Sequence, residues 1–246
     1  VRDLALMRSR EGVRRSEPKL VAVVAARYSS SRLSGKVVRP LAGRPLLAHT
    51  LERLQAVDRL DVIVIATSSE RSDDAVAAFA ETCAVPCWRG ALNDVLGRLR
   101  DAAAAWEADA IVRISGDSPL IDPAIVATAV ELYLDGAADV VTNVFPRSFP
   151  KGQSVEVVSR RALERLAAEA VAAADREHVT RYAYEHPERF VIRNFAAVRP
   201  RPELQLSVDT AADFERVAAL LAATSGATFA SVDRLVDLAD ALPAIS

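Results

Sequence analysis

Short, mostly apolar runs alternate with segments of helical periodicity through the first half of the chain. Runs of this length that are rich in Val and Ile are typical of strands buried on both faces of a sheet. The predicted strands are residues 20–26, 62–66, 85–88, 110–115 and 139–143. The predicted helices start at Leu46, at Asp73 or Asp74, at Asn93 or Asp94, and at Asp122. Strands that alternate with helices predict a mostly parallel, doubly wound α/β sheet.

The second half of the chain has a less regular pattern. It predicts an Ala-rich helix over residues 160–174, a helical continuation over 175–185, and helices at 211–223 and 232–241. Strands are predicted at 155–158, at 191–194 and, from its period-2 alternation, at 204–208. No Gly/Ser-rich linker and no internal repeat separates the two halves. We therefore expect the second half to extend the same sheet.

Composition excludes several functional classes. The 246 residues are 51% hydrophobic, which suits one large domain, and the formal net charge of −2 argues against a general nucleic-acid binder. Cys83 and Cys87 have no matching second pair of ligands, so a zinc site is not predicted. No apolar run is long enough to span a membrane, and residues 1–19 lack the apolar centre of a signal peptide. We expect a cytoplasmic protein in which residues 1–19 form a disordered extension.

Residues 20–44 combine a buried strand with a basic, Ser-rich loop. No Asp or Glu occurs between Glu17 and Glu52, whereas this segment carries cations at Arg27, Arg32, Lys36, Arg39 and Arg44. Several cations and small donors at the end of a strand suit a polyanion, and we interpret the loop as a triphosphate site. Charge alone leaves a solvated basic surface loop as an equal alternative.

The predicted topology brings a second motif to the same edge of the sheet. The connections after Ala26, Ala66 and Ser115 follow parallel strands, and their carboxyl ends meet at one edge. The cationic loop and the Gly116-Asp117 turn would both face the crevice there. Asp117 has a simpler alternative role as a turn or cap residue.

The loop sequence ARYSSSRLSGK, residues 26–36, does not match the phosphate-binding P-loop. It resembles the motif A-R-x-x-S-[ST]-R-L-P-G-K of the cytidylyltransferases that activate acidic sugars, such as CMP-Kdo and CMP-sialic acid synthetases, with Ser34 in place of Pro. The resemblance spans about residues 20–223 and is closest to the spore coat polysaccharide biosynthesis branch. Further matches lie at Lys36-Val37, Pro40–Pro45, Ala66–Ser68, Arg89-Gly90, Asp94–Arg98, Arg113–Pro123, Val155–Val157, Asp175–Thr180 and Val208–Thr210.

The resemblance implies a Rossmann-like three-layer nucleotide-diphospho-sugar transferase fold with a mostly parallel mixed sheet, and one cytidylyltransferase domain over residues 20–246. It implies that Arg27, Arg32 and Lys36 are catalytic and bind the β- and γ-phosphates. The implied nucleotide-binding residues are Ala25, Ala26, Arg27, Ser30, Ser31, Arg32, Lys36, Arg89, Asp94, Arg98 and Ser115. A plain capped helix is the alternative for residues 94–98.

The resemblance also implies a cofactor, Mg²⁺, held by Asp117 and Asp209. An N-cap of the following helix is the alternative role for Asp209. Glu156, Arg176 and His178, with Glu177, would face the acceptor. Ser154 departs from the G-x-D-V-E-V pattern of the branch, where Asp is common at this position, and such a change would alter acceptor choice.

The predicted activity is Mg²⁺-dependent transfer of CMP from CTP to an acidic small-molecule acceptor, with release of pyrophosphate. A sugar acid is the favoured acceptor, and a phosphonate or another acidic metabolite is the alternative. Two rival functions are a pyrophosphorylase acting on a sugar 1-phosphate and a non-catalytic nucleotide-binding protein. No nucleic-acid or membrane partner is expected, and the resemblance implies a homodimer.

Overall fold

The computed structural model describes residues 17–30, 32–224 and 229–242. The larger part of the predicted N-terminal extension, residues 1–16, and the predicted nucleotide-binding Ser31 lie outside the described residues. Within the described part, Lys19 leads into the first strand, and its backbone N–H donates a 2.7 Å hydrogen bond to Asp109.

The described elements follow one another as alternating strands and helices. The strands are β1 Leu20–Ala25, β2 Pro40–Leu41, β3 Arg44–Pro45, β4 Val62–Ser68, β5 Cys87–Gly90, β6 Ala110–Ser115, β7 Val140–Thr142, β8 Glu156–Ser159 and β9 Ile192–Asn194. The helices are α1 Leu46–Gln55, α2 Asp74–Thr82, α3 Val95–Ala105, α4 Pro123–Leu134, α5 Arg160–Glu169, α6 Ala173–Glu177, α7 Arg181–Glu185, α8 Ala211–Ala223 and α9 Val232–Ala241.

Seven strands form the main sheet in the order β5-β4-β1-β6-β8-β7-β9. The pairs β5/β4, β4/β1, β1/β6 and β7/β9 are parallel, whereas β8 runs antiparallel to both neighbours. The predicted mostly parallel mixed sheet is confirmed, and β7, β8 and β9 extend it as expected. Because β8 is reversed, its first residue, Glu156, lies at the same edge as the carboxyl ends of β1, β4 and β6.

Alternate residues of β1 supply two cores, one on each face of the sheet. Ala22 and Val24 belong to a cluster with residues of α1, α2 and α4, whereas Val21 and Val23 belong to a cluster with residues of α3 and α5. A strand buried on both faces reads as a continuous apolar run, which is why β1 was predictable. The result is a three-layer arrangement of helices, sheet and helices.

A third apolar cluster joins α8 and α9 to the edge that carries the cationic loop. Leu206 and Val208 are buried in it together with Leu41, Leu46 and Leu120. This cluster draws the chain before α8 against the loops that follow β1 and β6. It therefore determines where Asp209 lies.

Three predictions in the second half are wrong. The helical continuation predicted over 175–185 is broken at residues 178–180 into α6 and α7. The helix predicted over 160–174 ends at Glu169, and Ala170 adopts an extended conformation before α6. Tertiary contacts override the high helix propensity of Ala here: Ala170 is 1% exposed in the core, and Arg176 Nη1 donates a 2.9 Å hydrogen bond to the Ala167 carbonyl oxygen near the end of α5.

The segment 204–208 is extended, but it is not a strand of the sheet. Its neighbours are loops, so its pairing is limited to an isolated bridge between Lys151 and Gln205.

In the first half of the chain, the strand predicted at 85–88 is displaced and forms as Cys87–Gly90.

Candidate active site

A buried carboxylate anchors the start of the cationic loop. Asp73 accepts hydrogen bonds from the backbone N–H groups of Tyr28 at 2.6 Å and Ser68 at 2.8 Å, which joins the loop after β1 to the end of β4. Burial opposes ionisation of Asp73, but hydrogen bonds from Ser68, Tyr28 and Thr67 outweigh it and lower its pKa. The loop is therefore held in position before any ligand binds.

Gly35 turns the loop so that Lys36 points inward. Gly35 has a φ of +71°, and a Cβ atom at this position would lie 2.9 Å from the ring of Tyr28. Both features favour glycine. A short 3-10 turn, Lys36–Val38, follows directly, and Lys36 is only 7% exposed. The alternative of a solvated surface loop therefore does not hold for Lys36.

The Lys36 ammonium group lies between the two predicted metal-binding carboxylates. Its Nζ atom is 2.8 Å from Asp117 Oδ2 and 3.1 Å from Asp209 Oδ1. It also donates a 2.6 Å hydrogen bond to the carbonyl oxygen of Val208. The backbone N–H of Val208 in turn donates to the Asp117 carbonyl oxygen at 2.9 Å. Three segments that are distant in the sequence thus meet at one point.

The helix that follows Asp209 is capped by other residues. Thr210 is the N-cap of α8 and forms a capping box with Asp213, so Asp209 lies outside the cap. Asp117 accepts a 2.7 Å hydrogen bond from the Ser115 hydroxyl, and the N-cap of α4 is Asp122. Neither Asp117 nor Asp209 caps a helix.

A first cavity of about 310 Å³ opens above the ends of β1 and β6. Most of the predicted nucleotide-binding residues and both predicted metal ligands line it. The lining residues are Ala25, Ala26, Arg27, Ser30, Arg32, Lys36, Val37, Val95, Arg98, Arg113, Ser115, Asp117, Glu177, His178 and Asp209.

Carboxylates partner most of the cations of the first cavity. Arg27 lies 3.3 Å from Glu177, and Arg32 lies 3.1 Å from Asp209. Arg98 is different: it is 3% exposed and donates from Nη1 to the carbonyl oxygens of Ala91 and Leu92, which holds the loop after β5. Burial lowers the pKa of Arg98, and the charge of Asp73 opposes that shift.

Three predicted site residues lie outside the lining of both cavities described here. Arg89 donates to the carbonyl oxygens of Ser68 and Glu70 and pairs with Asp74. Asp94 is the N-cap of α3 and accepts a 2.6 Å hydrogen bond from Arg176, so these two predicted residues bind each other. Their roles toward nucleotide and acceptor stay predictions.

A second cavity of about 570 Å³ adjoins the first. Arg113, Ser115 and His178 line both cavities and form the wall between them. The other lining residues of the second cavity are Val144, Phe145, Arg147, Ser154, Glu156, Thr180, Arg181, Tyr184 and Glu185. Two of the predicted acceptor-binding residues, Glu156 and His178, therefore face this space.

Glu156 is 2% exposed and fully engaged by its neighbours. It pairs with Arg113 and accepts hydrogen bonds from the hydroxyls of Thr180 and Tyr184. Burial alone would raise the pKa of Glu156, but the charge of Arg113 and these hydrogen bonds lower it. Burial and the same carboxylate raise the pKa of Tyr184. Glu156 is thus an ionised positioning group.

Six polar residues of the second cavity had no role predicted from the sequence: Arg113, Arg147, Thr180, Arg181, Tyr184 and Glu185. Arg113 interrupts an otherwise apolar strand, and a cation inside a buried strand is a signal that could have revealed it. Arg147 and Tyr184 lie in a loop and in a short helix, where no periodicity marks a functional side chain.

The donor set around Lys36 fits a hard divalent cation. The side chains of Asp117 and Asp209 are 23% and 28% exposed, so their oxygens reach the first cavity. Both carboxylates already contact one positive charge, the ammonium group of Lys36. Two carboxylates together with phosphate oxygens are the ligands that Mg²⁺ prefers. In the described part of the chain, no group of three or more His, Cys, Asp or Glu residues is placed to hold a metal ion. The two carboxylates would therefore need phosphate oxygens to complete the coordination of the ion.

None of the helices in the described ranges is long and apolar enough to cross a membrane.

Comparisons with known proteins agree with one another. A family model described as cytidylyltransferase matches residues 21–229. The spore coat polysaccharide biosynthesis protein SpsF of Bacillus subtilis (strain 168) is 29% identical over 232 residues, which cover 91% of this chain and 95% of SpsF.

Two solved structures share the fold. A cytidylyltransferase from Leptospira borgpetersenii superposes with a TM-score of 0.83 at 32% identity and covers 92% of this chain and 94% of its own. A CMP:2-keto-3-deoxy-manno-octonic acid synthetase complexed with CTP has a TM-score of 0.65 at 23% identity, with 83% of this chain and 99% of that chain covered. The predicted nucleotide-diphospho-sugar transferase fold is confirmed.

Proposed function

The chain belongs to the cytidylyltransferase family, and from this premise we propose that it transfers CMP from CTP to an acidic small molecule and releases pyrophosphate. The proposal depends above all on one observation. Lys36 Nζ lies within 3.1 Å of both Asp117 and Asp209, at the base of a cavity that Arg27 and Arg32 also line.

The cations of the first cavity suit a triphosphate. Arg27 and Arg32 have exposed side chains, at 41% and 62%, so they can turn from their present partners toward phosphate oxygens. Lys36 is buried and cannot move far, so it would provide a fixed positive charge beside the reacting phosphate. Charge neutralisation by fixed groups is the main requirement of phosphoryl and nucleotidyl transfer.

Asp117 and Asp209 would hold Mg²⁺ together with the phosphates. The bound ion would supply positive charge to the α-phosphate and to the leaving pyrophosphate. The carboxylates are prepared for this because Lys36 and the hydrogen bond between Val208 and Asp117 fix their separation. Magnesium is proposed because of the all-oxygen donor set.

The reaction exchanges one P–O bond for another. A hydroxyl oxygen of the acceptor attacks the α-phosphorus of CTP while the bond to the β-phosphate breaks and pyrophosphate leaves. The proton of the acceptor hydroxyl passes to water. The acceptor would occupy the second cavity, which touches the first along Arg113, Ser115 and His178. Its reacting oxygen would therefore reach the α-phosphate across this wall.

A pyrophosphate-release assay with CTP, UTP, GTP and dTTP tests the proposal against a panel of sugar acids and phosphonates. The panel includes 2-keto-3-deoxy-manno-octonic acid, sugar 1-phosphates and neutral sugars. We expect Mg²⁺-dependent release with CTP and at least one acid. Release only with UTP or dTTP and a sugar 1-phosphate would indicate a pyrophosphorylase instead. Nucleotide binding without release under any condition would indicate a non-catalytic nucleotide-binding protein.

A further inference from the structure

The cations of the second cavity differ in how they are neutralised. Arg113 pairs with the buried Glu156, and Arg181 lies 2.6 Å from Glu185 and 3.2 Å from Asp175. Arg147 also lines this cavity, but no carboxylate of the described residues lies within 4.0 Å of its guanidinium. The second cavity thus contains one arginine whose charge has no adjacent counter-charge.

The guanidinium of Arg147 has one engaged end and one free end. Nη2 donates a 3.0 Å hydrogen bond to the Ser154 hydroxyl, whereas Nη1 is buried and has no hydrogen-bond partner among the described residues. A buried donor on a charged group without an acceptor is costly, and such groups are normally satisfied in a functional state. The backbone of Arg147 pairs with Val144, which fixes the turn that carries the side chain.

Ser154 determines the charge at this place. An Asp in place of Ser154 would lie in contact with Arg147 and neutralise it. Ser154 offers only a neutral oxygen to Nη2, so the positive charge of Arg147 is preserved. Glu156 is the nearest acidic influence, but its carboxylate already pairs with Arg113.

An apolar surface lies in the same cavity. The rings of Phe145 and Tyr184 stack at 4.6 Å with planes only 10° apart, and Phe145 is 37% exposed. Aromatic faces suit the C–H side of a sugar or another compact carbon skeleton. A cation and an aromatic face in one cavity select a ligand that has both an anionic group and an apolar face.

We infer that Arg147, supported by Ser154, binds the carboxylate of the acceptor, which makes this pair the determinant of acceptor charge. The inference rests on the proposed function. With the carboxylate on Arg147 and the carbon skeleton against Phe145, the opposite end of the acceptor faces the shared wall and the α-phosphate of CTP. Arg147 is a binding residue, and it takes no part in the bond changes.

Two variants test this inference by different routes. Arg147→Gln removes the charge, whereas Ser154→Asp retains the arginine and supplies it with a carboxylate. Arg160→Gln is the matched control, because Arg160 is exposed and follows β8 at the opposite edge of the sheet. Calorimetry would measure the binding of CTP alone and then, in the presence of a non-hydrolysable CTP analogue, of each sugar acid and its methyl ester.

We expect the protein to bind an acid of the panel at least about tenfold more tightly than its methyl ester, because a hydrogen bond to a charged group is stronger than a neutral one. Arg147→Gln and Ser154→Asp should each weaken binding of the acid at least about tenfold. Both should bind CTP as the unchanged protein does, which also shows that they are folded. Arg160→Gln should match the unchanged protein with both ligands.

Two results would overturn the inference while leaving cytidylyl transfer intact. These are equal binding of acid and ester, and unchanged binding of the acid in Arg147→Gln. A protein that binds no CTP and releases no pyrophosphate would instead contradict the proposed function itself. The nucleotide measurement therefore separates the two failures.

Discussion

The two adjoining cavities differ in how their positively charged side chains are neutralised. In the first cavity, Lys36, Arg27 and Arg32 each contact a carboxylate that comes from a distant part of the chain. In the second cavity, Arg113 and Arg181 are also paired. The guanidinium of Arg147 donates to the neutral Ser154, and no carboxylate of the described residues pairs with it. The difference matches the charges of the ligands that we propose for each cavity.

A triphosphate with a divalent cation brings both signs of charge into its site. Carboxylates and cations can therefore neutralise each other in the free protein and exchange partners when the ligand arrives. An organic acid brings a negative charge alone, so its site needs one cation that is not already neutralised. The comparison predicts that changes in the first cavity affect catalysis most and that changes at its rim affect it least.

The largest effect is expected from loss of either carboxylate that we propose as a metal ligand. Asp117→Ala and Asp209→Ala should each lower Mg²⁺-dependent kcat/KM by about 10³-fold or more, because the metal contributes several kcal/mol to transition-state stabilisation. Initial rates of pyrophosphate release measure this. Asp58→Ala, at an exposed position before β4, is the matched control. Full activity in either variant would remove that residue from the proposed metal site.

A smaller effect is expected from loss of the Lys36 ammonium group, which lies between the carboxylates of Asp117 and Asp209. Lys36→Met leaves Asp117 and Asp209 facing each other without a cation, so it should weaken CTP binding about 10- to 100-fold and lower the Tm. Because a divalent cation can then take the place of the ammonium group, Mg²⁺ should raise the Tm of Lys36→Met more than that of the unchanged protein.

Thermal unfolding with and without Mg²⁺ tests this second prediction. An equal response of the two proteins to Mg²⁺ would argue that the carboxylates do not form a metal site. Unchanged CTP affinity in Lys36→Met would separately remove Lys36 from the triphosphate site.

In the second cavity, Glu156→Gln should change stability, with a distinct dependence on pH. The folded protein holds the pKa of Glu156 below its ordinary value, so the ionised carboxylate stabilises the fold above the ordinary Glu pKa, about 4.3. This contribution is lost as the pH falls through the lowered pKa. Glu156→Gln should therefore reduce the free energy of unfolding by about 2 kcal/mol at neutral pH, and by progressively less below about pH 4.

Denaturant unfolding between pH 3 and pH 7 measures this gap, with the exposed Glu131→Gln as control. A gap that widens in acid would contradict the lowered pKa. The pH profile of kcat/KM between pH 6 and pH 9 should keep its shape in Glu156→Gln, because the carboxylate remains ionised throughout this range. A lost pH dependence would mean that Glu156 acts as a base.

The sequence predicted more of the first cavity than of the second. Three short runs rich in Val and Ile predicted β1, β4 and β6, and parallel topology then brought Lys36 and Asp117 to one edge. The approach of Asp209 could not be worked out this way. It depends on the bond between Val208 and Asp117 and on the apolar cluster beneath α8, which are long-range contacts. Only the resemblance indicated it.

The second cavity was less accessible to prediction for a physical reason. Its residues lie on β6, on the turn at residues 144–147, at and just before the start of β8, on α7 and in the link between α6 and α7. Tertiary contacts also overrode local propensity at Ala170. Arg147 differs from the other arginines of this cavity because no carboxylate of the described residues pairs with it. The sequence shows that Ser154 departs from the motif of the branch. Only the structure shows that Ser154 contacts Arg147 and leaves its positive charge without a counter-charge.

The smallest effect is expected at the exposed rim of the first cavity. The ion pair of Arg27 and Glu177 is 41% and 48% exposed, and such pairs contribute at most about 1 kcal/mol. Glu177→Gln should release Arg27 for the triphosphate and tighten CTP binding by no more than about fivefold, with a weaker effect at high salt. Calorimetry at two salt concentrations measures this. Weaker binding would show that Glu177 itself supports the nucleotide.

The most direct measurement is a Mn²⁺ titration followed by electron paramagnetic resonance, with CTP present. The account predicts one tightly held ion per chain in the unchanged protein and in Asp58→Ala. It predicts affinity at least about tenfold weaker in both Asp117→Ala and Asp209→Ala, since each loses a charged ligand. Binding of the ion by either of these variants as tightly as by the unchanged protein would contradict the central claim, that Asp117 and Asp209 together hold the metal for CTP.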